Sequence, residues 1–460
     1  MQEDTISAVA TAVGEGGIGV VRLSGKNALN VAARLFQSST QKDIERSTKS
    51  QIYYGHIVDP KDNSLVDEVL LLVMKAPHSY TREDVVEIQC HGGSVVLRRI
   101  LGLTLRSGAR LAEPGEFTKR AFLNGRLDLT QAEAVIDIIR AKTDASLKMA
   151  IGHLEGELAG KINQLRGRIL EMIAQLEATI DFPEENIEEL PAESVNASLQ
   201  KIVDEIESLL STSVAGRILQ DGLQTVIIGK PNVGKSSLLN ALLRENRAIV
   251  TDVPGTTRDS IEEFVNLRGI PLRIVDTAGI RDTSDEVEKI GVDRSRAFVE
   301  RADLVLVLLD ASQPLSQEDH QVLSLLADRK AIILINKSDL PEKLAKDELA
   351  AYVGARQIIT ISVAAGLGLD VLEQCIAEMV FQGSVGVSEG AFINNVRQEN
   401  ILRLALQNLM EAKNTIVAGL PADFQVIDLR SAWEKLGELS GETVSEDIIN
   451  EIFSRFCIGK

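Results

Sequence analysis

Between Gly229 and Ser237 the chain reads GKPNVGKSS, with glycines, a lysine and hydroxyls at the spacing of a phosphate-binding loop. An apolar strand precedes it and a helical pattern follows, which is the context such a loop requires. Gly229 and Gly234 let the backbone curl so that amide hydrogens along Asn232, Val233, Gly234, Lys235, Ser236 and Ser237 face phosphate oxygens. Lys235 adds a cation and Ser236 offers an oxygen to magnesium. Further on, Asp276, Thr277, Ala278 and Gly279 spell DTAG at the end of a buried strand. There the carboxylate can hold the magnesium shell and the Gly279 amide can meet a γ-phosphate. Between the two lies PGTTRD, where Thr256 and Thr257 supply hydroxyls, one of them a second magnesium ligand when triphosphate is bound. Each string alone is an ordinary turn; their order after one phosphate loop is what makes them a site.

The base is read by Asn336, Lys337, Ser338 and Asp339, where strand AIILI ends. A carboxylate at Asp339 accepts from the N1 hydrogen and the 2-amino group of guanine together, a donor pair that adenine lacks. The expected ligand is therefore GTP and ATP is rejected. Asn336 is placed to brace neighbouring loops, the Lys337 stem to cover the ring, and Ser362, Val363 and Ala364 to meet the guanine oxygen through their backbone. Hydrolysis needs a group that orients water and a group that neutralises developing charge. The residue after DTAG is Ile280 where Ras-type enzymes have glutamine, so Asp282, Asp285, Glu286 and Glu288 are the candidates for water. Arg258, Arg281, Lys230 or a bound monovalent cation are the candidates for charge.

These residues need an α/β scaffold to hold them. From Leu223 the chain alternates apolar strands QTVIIG, LRIVDTAG, DLVLVLLD, AIILINKSD and IITISVAAG with helical lengths, predicting a parallel doubly wound sheet. Residues 1 to about 120 hold strand-like runs at 19–25, 53–58, 67–74 and 84–93. Leu147, Ile151, Leu154, Leu158, Ile162, Leu165, Ile169, Ile173, Leu176 and Ile180 then form one helical stripe, which should stop at Pro183. A second helix carrying Val195, Leu199, Ile202, Ile206 and Leu209 runs toward Gly222, and the chain is helical again after about Val385. The expected organisation is a multidomain α/β chain: an α+β domain at 1–120, a helical bundle domain at 121–216 and 384–460, and an inserted Ras-like P-loop G domain at 217–383.

Length, 460 residues, agrees with two to four domains. No apolar run approaches the ~18 residues of a membrane span, and the first residues lack the pattern of a secretory signal, so no membrane association and a cytoplasmic location are expected. Cys90, Cys375 and Cys457 show no disulfide framework or zinc spacing. A formal net charge of −18 opposes nonspecific adhesion to nucleic acid, so any RNA contact must be local.

DTI near the start, GGIGVVRLSG, EIQCHGG, EPGEFTKRAFLNGRLDL, the inserted G domain and CIGK at the end together resemble the MnmE (TrmE/ThdF) family of tRNA-modifying GTPases, across essentially the whole chain. The resemblance implies an N-terminal domain similar to tetrahydrofolate-binding aminomethyltransferase domains, with folate contacts at Arg22, Glu87, Arg126 and Lys460 and Cys457 near the one-carbon donor, a 5,10-methylene- or 5-formyl-tetrahydrofolate. It implies addition of an aminomethyl or carboxymethylaminomethyl-type group to C5 of the wobble uridine of tRNA, with the flavoprotein MnmG (GidA) as partner in a heterotetramer-type complex. It also implies magnesium on Ser236, Thr257 and Asp276, and potassium on Asn232, Thr251, Val253 and Thr256. Glu288 matches the family's water-orienting glutamate, which joins Lys235 as catalytic, and the N-terminal domains would hold a homodimer. The alternative is a ribosome-assembly GTPase of the Era or Der type, which leaves the first 120 residues and CIGK unexplained.

Overall fold

The structure is a computed structural model and describes residues 4–12, 14–39, 44, 49–181, 191–246, 263–275, 298–326, 329–354, 356–381 and 391–460. The chain divides into two compact units, one of residues 1–136, 153–189 and 419–460, the other of residues 137–152 and 190–418.

The first unit is built on a seven-stranded sheet of β1 (Ile6–Val9), β2 (Gly16–Ser24), β3 (Phe36–Ser38), β4 (Gln51–Val58), β5 (Leu65–Met74), β6 (Val85–Gly92) and β7 (Arg110–Leu111), in the order β3-β4-β5-β6-β2-β1-β7. Every pairing is antiparallel except β1 with β7. Strand alternation buries Tyr53, Val69, Leu71, Val73, Val86 and Ile88 under α1 (Ala28–Ala33) and α2 (Ser94–Arg106). The opposite face shows Ile18, Ile52, Tyr54 and Leu70, each 42% exposed or more. The α+β expectation for this stretch did not say where these helices and α3 (Glu116–Leu123) would fall, because strand signals dominate the first 120 residues. Under α3 lies an ionic knot: Arg120, 2% exposed, donates to Glu116, Glu83 and Asp4, and Arg110 donates to Glu116 and Asp4. Burial by itself would raise the Glu116 carboxyl, but hydrogen bonds from Arg110, the Glu113 amide and Arg120 hold it below the usual range.

The stripe expected as one helix from Leu147 to Ile180 is two. Gly156 adopts φ +91°, a left-handed value open to glycine, and separates α5 (Asp144–Glu155) from α6 (Glu157–Asp181). α4 (Leu129–Arg140) and α5 both cross from one unit of the chain to the other. Likewise the helix toward Gly222 divides at Thr212 into α7 (Ala192–Ser211) and α8 (Ser213–Asp221), the Thr212 hydroxyl donating to the Leu209 carbonyl at 2.7 Å. Pro183 lies outside the described residues.

The second unit carries the expected parallel sheet: β8 (Leu223–Ile228), β10 (Ile270–Ile274), β11 (Leu304–Asp310), β12 (Ala331–Asn336) and β13 (Gln357–Thr360), with β9 (Glu263–Leu267) added antiparallel at one edge, in the order β13-β12-β11-β8-β10-β9. β11 and β12 are buried at every position, which is why they read as unbroken apolar runs. Helices α9 (Lys235–Asn246), α10 (Gln317–Ser324), α11 (Lys346–Val353) and α12 (Leu369–Phe381) accompany the sheet, with buried apolar clusters on both of its faces. The remaining helices are α13 (Val396–Val417), α14 (Ala422–Ser440) and α15 (Glu446–Ser454). They pair with the earlier ones in two separate sets, α7 with α13 in the second unit and α6 with α14 in the first. Between the latter two, Arg166 lies 4.4 Å from the Trp433 ring centroid and 2.6 Å from a Glu442 oxygen. Among the described residues no helix is long and apolar enough to cross a membrane.

Candidate functional site

Four loops leave the carboxyl ends of β8, β11, β12 and β13, which are consecutive neighbours in the sheet. After β8 the chain turns through Gly229–Gly234 into α9, and Gly234 sits at φ +108°. A Cβ there would stand 2.4 Å from Asn336 Nδ2, so the loop can lie against Asn336 only with glycine at this place. Asn232 also holds a left-handed backbone, φ +58°, and its side chain is exposed. Val233 is buried and anchors the loop, while Ser237 is exposed. Lys235 Nζ donates to the carbonyls of Gly229 at 2.8 Å and Lys230 at 3.0 Å, which stretches it across the loop it is meant to serve.

Asn336 ends β12, is 4% exposed, and joins two of the loops. Its Nδ2 donates to the Val233 carbonyl at 2.8 Å, and its Oδ1 accepts from the Val363 amide at 3.1 Å. Ser362 is fully buried and donates from Oγ to Asp339 Oδ1 at 2.5 Å, fixing that carboxylate. The Val363 amide is thus engaged by Asn336, and of this loop the exposed Ala364 amide is the one with no hydrogen bond among the described residues.

Two carboxylates that the sequence reading did not single out complete the arrangement. Asp310, the last residue of β11, accepts from Lys337 Nζ at 2.7 Å and from the Ser312 amide and hydroxyl. Burial alone would raise its carboxyl; the bonds from Lys337 and Ser312 hold it lowered. Asp319, 2% exposed, forms an ion pair with Lys230 at 2.8 Å and a capping box with Ser316 at the start of α10. The S-x-x-D spacing from Ser316 to Asp319 signals that helix start, but nothing local in the sequence links it to Lys230. Lys230, one of the candidate charge donors, is accordingly committed to Asp319. Thr251, Val253, Thr256, Thr257, Asp276, Thr277, Ala278, Gly279 and Glu288, with Arg258, Arg281, Asp282, Asp285 and Glu286, lie outside the described residues.

In the first unit Arg22 on β2 faces Glu87 on β6 in direct register, and Arg22 Nε donates to Glu87 Oε1 at 2.7 Å. The Arg22 guanidinium also donates to the Gly459 carbonyl at 3.3 Å and stands 5.6 Å from the ring centroids of Tyr80 and Phe117. Arg126 lies 4.7 Å from the same Tyr80 ring and donates to the Tyr80 carbonyl at 3.2 Å. It lines an open cleft of about 500 Å³ with Met74, His78, Tyr80 and Arg82. The last residues of the chain come alongside: the Phe117 amide donates to the Lys460 carbonyl at 3.1 Å, and the exposed Cys457 accepts on its carbonyl from Gly115 and Lys460. Arg22, Glu87, Arg126 and the end of the chain are therefore gathered around Tyr80, an aromatic residue that motif spacing did not flag.

Residues 5–126 match the family described as GTP-binding protein TrmE N-terminus, and residues 129–457 match the family described as MnmE helical domain. The tRNA modification GTPase MnmE of Enterococcus faecalis is 51% identical over 461 residues, with 100% of this chain and 99% of that protein covered. The protein of the same name from Alkaliphilus oremlandii is 49% identical over 458 residues, with 100% and 99% covered. Among solved structures, the G domain of the T. maritima FeoB iron transporter is 28% identical over 34% of this chain and 97% of that chain, with a TM-score of 0.26.

Proposed function

This chain belongs to the MnmE family of tRNA modification GTPases, and from that premise we propose how its residues divide the work. It is a GTP-hydrolysing enzyme of tRNA modification. We assign the phosphates of GTP to the Asn232–Ser237 turn, with Thr256, Thr257 and the Asp276–Gly279 segment beside them, and the guanine to Asn336, Lys337, Asp339 and the Ser362–Ala364 loop. The observation that carries this reading is the buried Asn336 amide, which ties the phosphate loop to the guanine loop through Val233 and Val363. Two motifs far apart in the chain are thereby held together at the carboxyl ends of neighbouring strands, as a ligand with a phosphate end and a base end requires.

Ser236, Thr257 and Asp276 would hold magnesium, which when bound draws charge from the phosphate oxygens. Asn232, with Thr251, Val253 and Thr256, would hold potassium, which supplies the positive charge that other enzymes of this chemistry take from an arginine. Asn232 fits that role in being exposed on the loop with its backbone left-handed. Glu288 orients the attacking water and Lys235 withdraws charge from the phosphates.

We further propose that the cleft beside Tyr80 takes the pterin end of a tetrahydrofolate one-carbon donor, a 5,10-methylene or 5-formyl form, with Arg22, Glu87, Arg126 and Lys460 as its contacts and Cys457 near the transferred carbon. Two arginines facing one tyrosine ring, with Glu87 Oε1 already oriented by Arg22, support a flat, hydrogen-bonding heterocycle there. The product is an aminomethyl or carboxymethylaminomethyl-type group on C5 of the tRNA wobble uridine, made with the flavoprotein MnmG. A homodimer is supported by the apolar outer face of the first sheet, where Ile18, Ile52, Tyr54 and Leu70 stand exposed. The enzyme acts in the cytoplasm. The test is mass spectrometry of wobble uridines in tRNA from cells lacking this gene. The modification should be lost, restored by the wild-type gene, and not restored by Lys235→Ala or Arg22→Ala. Unchanged wobble uridines in the deletion strain would overturn the assignment.

A further inference from the structure

Charge is distributed very unevenly along this chain. Residues 1–126 carry 16 Lys and Arg against 14 Asp and Glu, whereas residues 127–460 carry 33 against 53. The first stretch is +2 and the remainder −20, so a polyanion is repelled by most of the protein and is met without repulsion only by the first domain. Within that domain the positive charge is concentrated. α2 buries Leu97, Ile100, Leu103 and Thr104 against the sheet and turns Arg98, Arg99 and Arg106 outward. Arg99 Nη2 donates to Ser64 Oγ at 3.0 Å, Arg106 Nη2 to Asp59 Oδ2 at 3.2 Å, and Arg34 Nη1 to the Ser107 carbonyl at 3.2 Å. Those three contacts draw the end of α1, the turn from Asp59 to Ser64 and the outer face of α2 into one continuous surface. It carries Arg34, Lys61, Arg98, Arg99 and Arg106. Asp59 and Asp62 lie in the same turn, Asp59 accepting from the Lys61 amide and pairing with Arg106, Asp62 accepting from the Ser64 amide, so the five cations outnumber these two carboxylates by three.

We infer that this arginine face of α2, with Arg34 and Lys61 beside it, is the surface that receives the phosphate backbone of the tRNA. The inference rests on the tRNA-modification reading above and adds to it the place of contact. Four of the five cations are arginines, whose planar fork pairs with two phosphate oxygens at once where lysine offers a point charge. The five side chains offer charge and no aromatic ring on which a base could stack, so the surface positions RNA through its backbone and leaves base identity to be read elsewhere. The face is also on the helix-covered side of the sheet. A second copy bound to the apolar side at Ile52, Tyr54 and Leu70 would leave it open. An exposed charge run on a helix is ordinarily only solvated. What sets this one apart is that it is positive in a chain of net charge −18 whose substrate is a polyanion.

The experiment uses the full chain and unmodified tRNA transcript, with binding followed by fluorescence anisotropy across a salt series. The triple variant Arg98→Gln, Arg99→Gln, Arg106→Gln should bind tRNA at least about tenfold more weakly at ~0.1 M salt. The slope of log affinity against log salt should fall in magnitude by about 2 to 3, roughly one per phosphate contact removed. GTP hydrolysis without tRNA should be unchanged, because these residues belong to the first unit and the nucleotide-binding motifs to the second. The triple Arg→Lys variant keeps the charge and should retain the slope. Glutamine is a good helix former and all three sites are exposed, so the fold should survive. If circular dichroism shows otherwise, Arg98→Gln alone, at a residue without a partner among the described ones, should still lower the slope by about 1. Unchanged affinity and slope in the variants would overturn the inference, as would a wild-type protein that binds no tRNA. Failure of the tRNA-modification reading shows separately, in the wobble uridines of the deletion strain.

Discussion

Replacing Asn336 with alanine tests the link between the two halves of the nucleotide site. The side chain is 4% exposed and makes one bond to each loop, to the Val233 carbonyl at 2.8 Å and from the Val363 amide at 3.1 Å. A buried amide hydrogen bond contributes about 1 kcal/mol net, and a buried group left without a partner costs about 1–3 kcal/mol. Asn336→Ala should therefore lower folding stability by about 2–4 kcal/mol. If the bonds only stabilise the domain, the loss ends there. If they preorganise the loops for a ligand that spans both, the free protein lets the loops drift, and binding must restore their geometry. About 2 kcal/mol of that loss then appears in affinity, which is about 30-fold in Kd. Titration calorimetry with GDP and GTP, beside thermal unfolding, separates the two outcomes. Leu306→Ala, deep in β11 and away from every loop, provides the control: a comparable fall in Tm with little change in affinity. Asn336→Asp keeps an acceptor for Val363 but sets a carboxylate against the Val233 carbonyl, and should be no better than alanine. An Asn336→Ala protein that melts earlier yet binds GDP within about threefold of wild type would refute the preorganisation argument.

Asp339→Asn turns an acceptor into an amide that pairs with xanthine, so nucleotide preference should move from GTP to XTP in competition binding; equal binding of ATP by the wild type would sink the guanine assignment. Glu288→Ala should leave GTP binding nearly intact and slow hydrolysis by about 10²–10³-fold in single-turnover assays. GTPase activity should rise with potassium and stay low in sodium at equal ionic strength, and Asn232→Ala should blunt that difference; a mutant equally impaired in both salts would refute a potassium ligand at Asn232. Glu116 is held below the ordinary glutamate value, so its contribution to stability is complete above that value and is lost as pH falls through the lowered one. Glu116→Gln should therefore destabilise the protein at neutral pH and flatten the acid limb of a Tm-against-pH curve; an unchanged acid limb would show that other carboxylates govern it.

The parts legible in the sequence are those whose physics is local. Strands buried on both faces read as apolar runs, and β11 and β12 emerged where LVLVLLD and AIILIN stand. Glycine and lysine spacing announced the turn at Gly229 because a phosphate loop has few chemical solutions. Helical periodicity predicted the stripe from Leu147 to Ile180 but could not locate its interruption, since the apolar spacing in the sequence continues unbroken past the left-handed Gly156. Pairings between distant residues were not legible at all. Asp310 waits 27 positions before Lys337 and Asp319 lies 89 positions after Lys230. Nothing in either neighbourhood announces its partner, and only the strand order brings β11 beside both β8 and β12. Tyr80 escaped notice for the same reason, as Arg22 and Arg126 meet it from two directions across the first unit.

Those distant pairings narrow the question of how charge is neutralised during hydrolysis. Three side chains and a bound cation were open on the sequence. Lys230 stands in the phosphate loop itself and would be the nearest donor, but its ammonium is 2.8 Å from Asp319 and the two side chains are only 11% and 3% exposed. Releasing it would strand a buried carboxylate, at a cost of about 3–5 kcal/mol for breaking such a pair. That loss is about as large as the gain a well-placed cation provides in the transition state. Asp319 also closes the capping box of α10, so freeing Lys230 would leave a carboxylate that the helix start already uses without its counter-ion. The lysine is better understood as a fixed strut that holds the loop's Lys230 carbonyl where Lys235 can reach it, at 3.0 Å. The charge must then come from Arg258, Arg281 or an ion held at Asn232. Of these, the ion proposed at Asn232 is the one whose ligand would stand on the loop that the pair keeps in place.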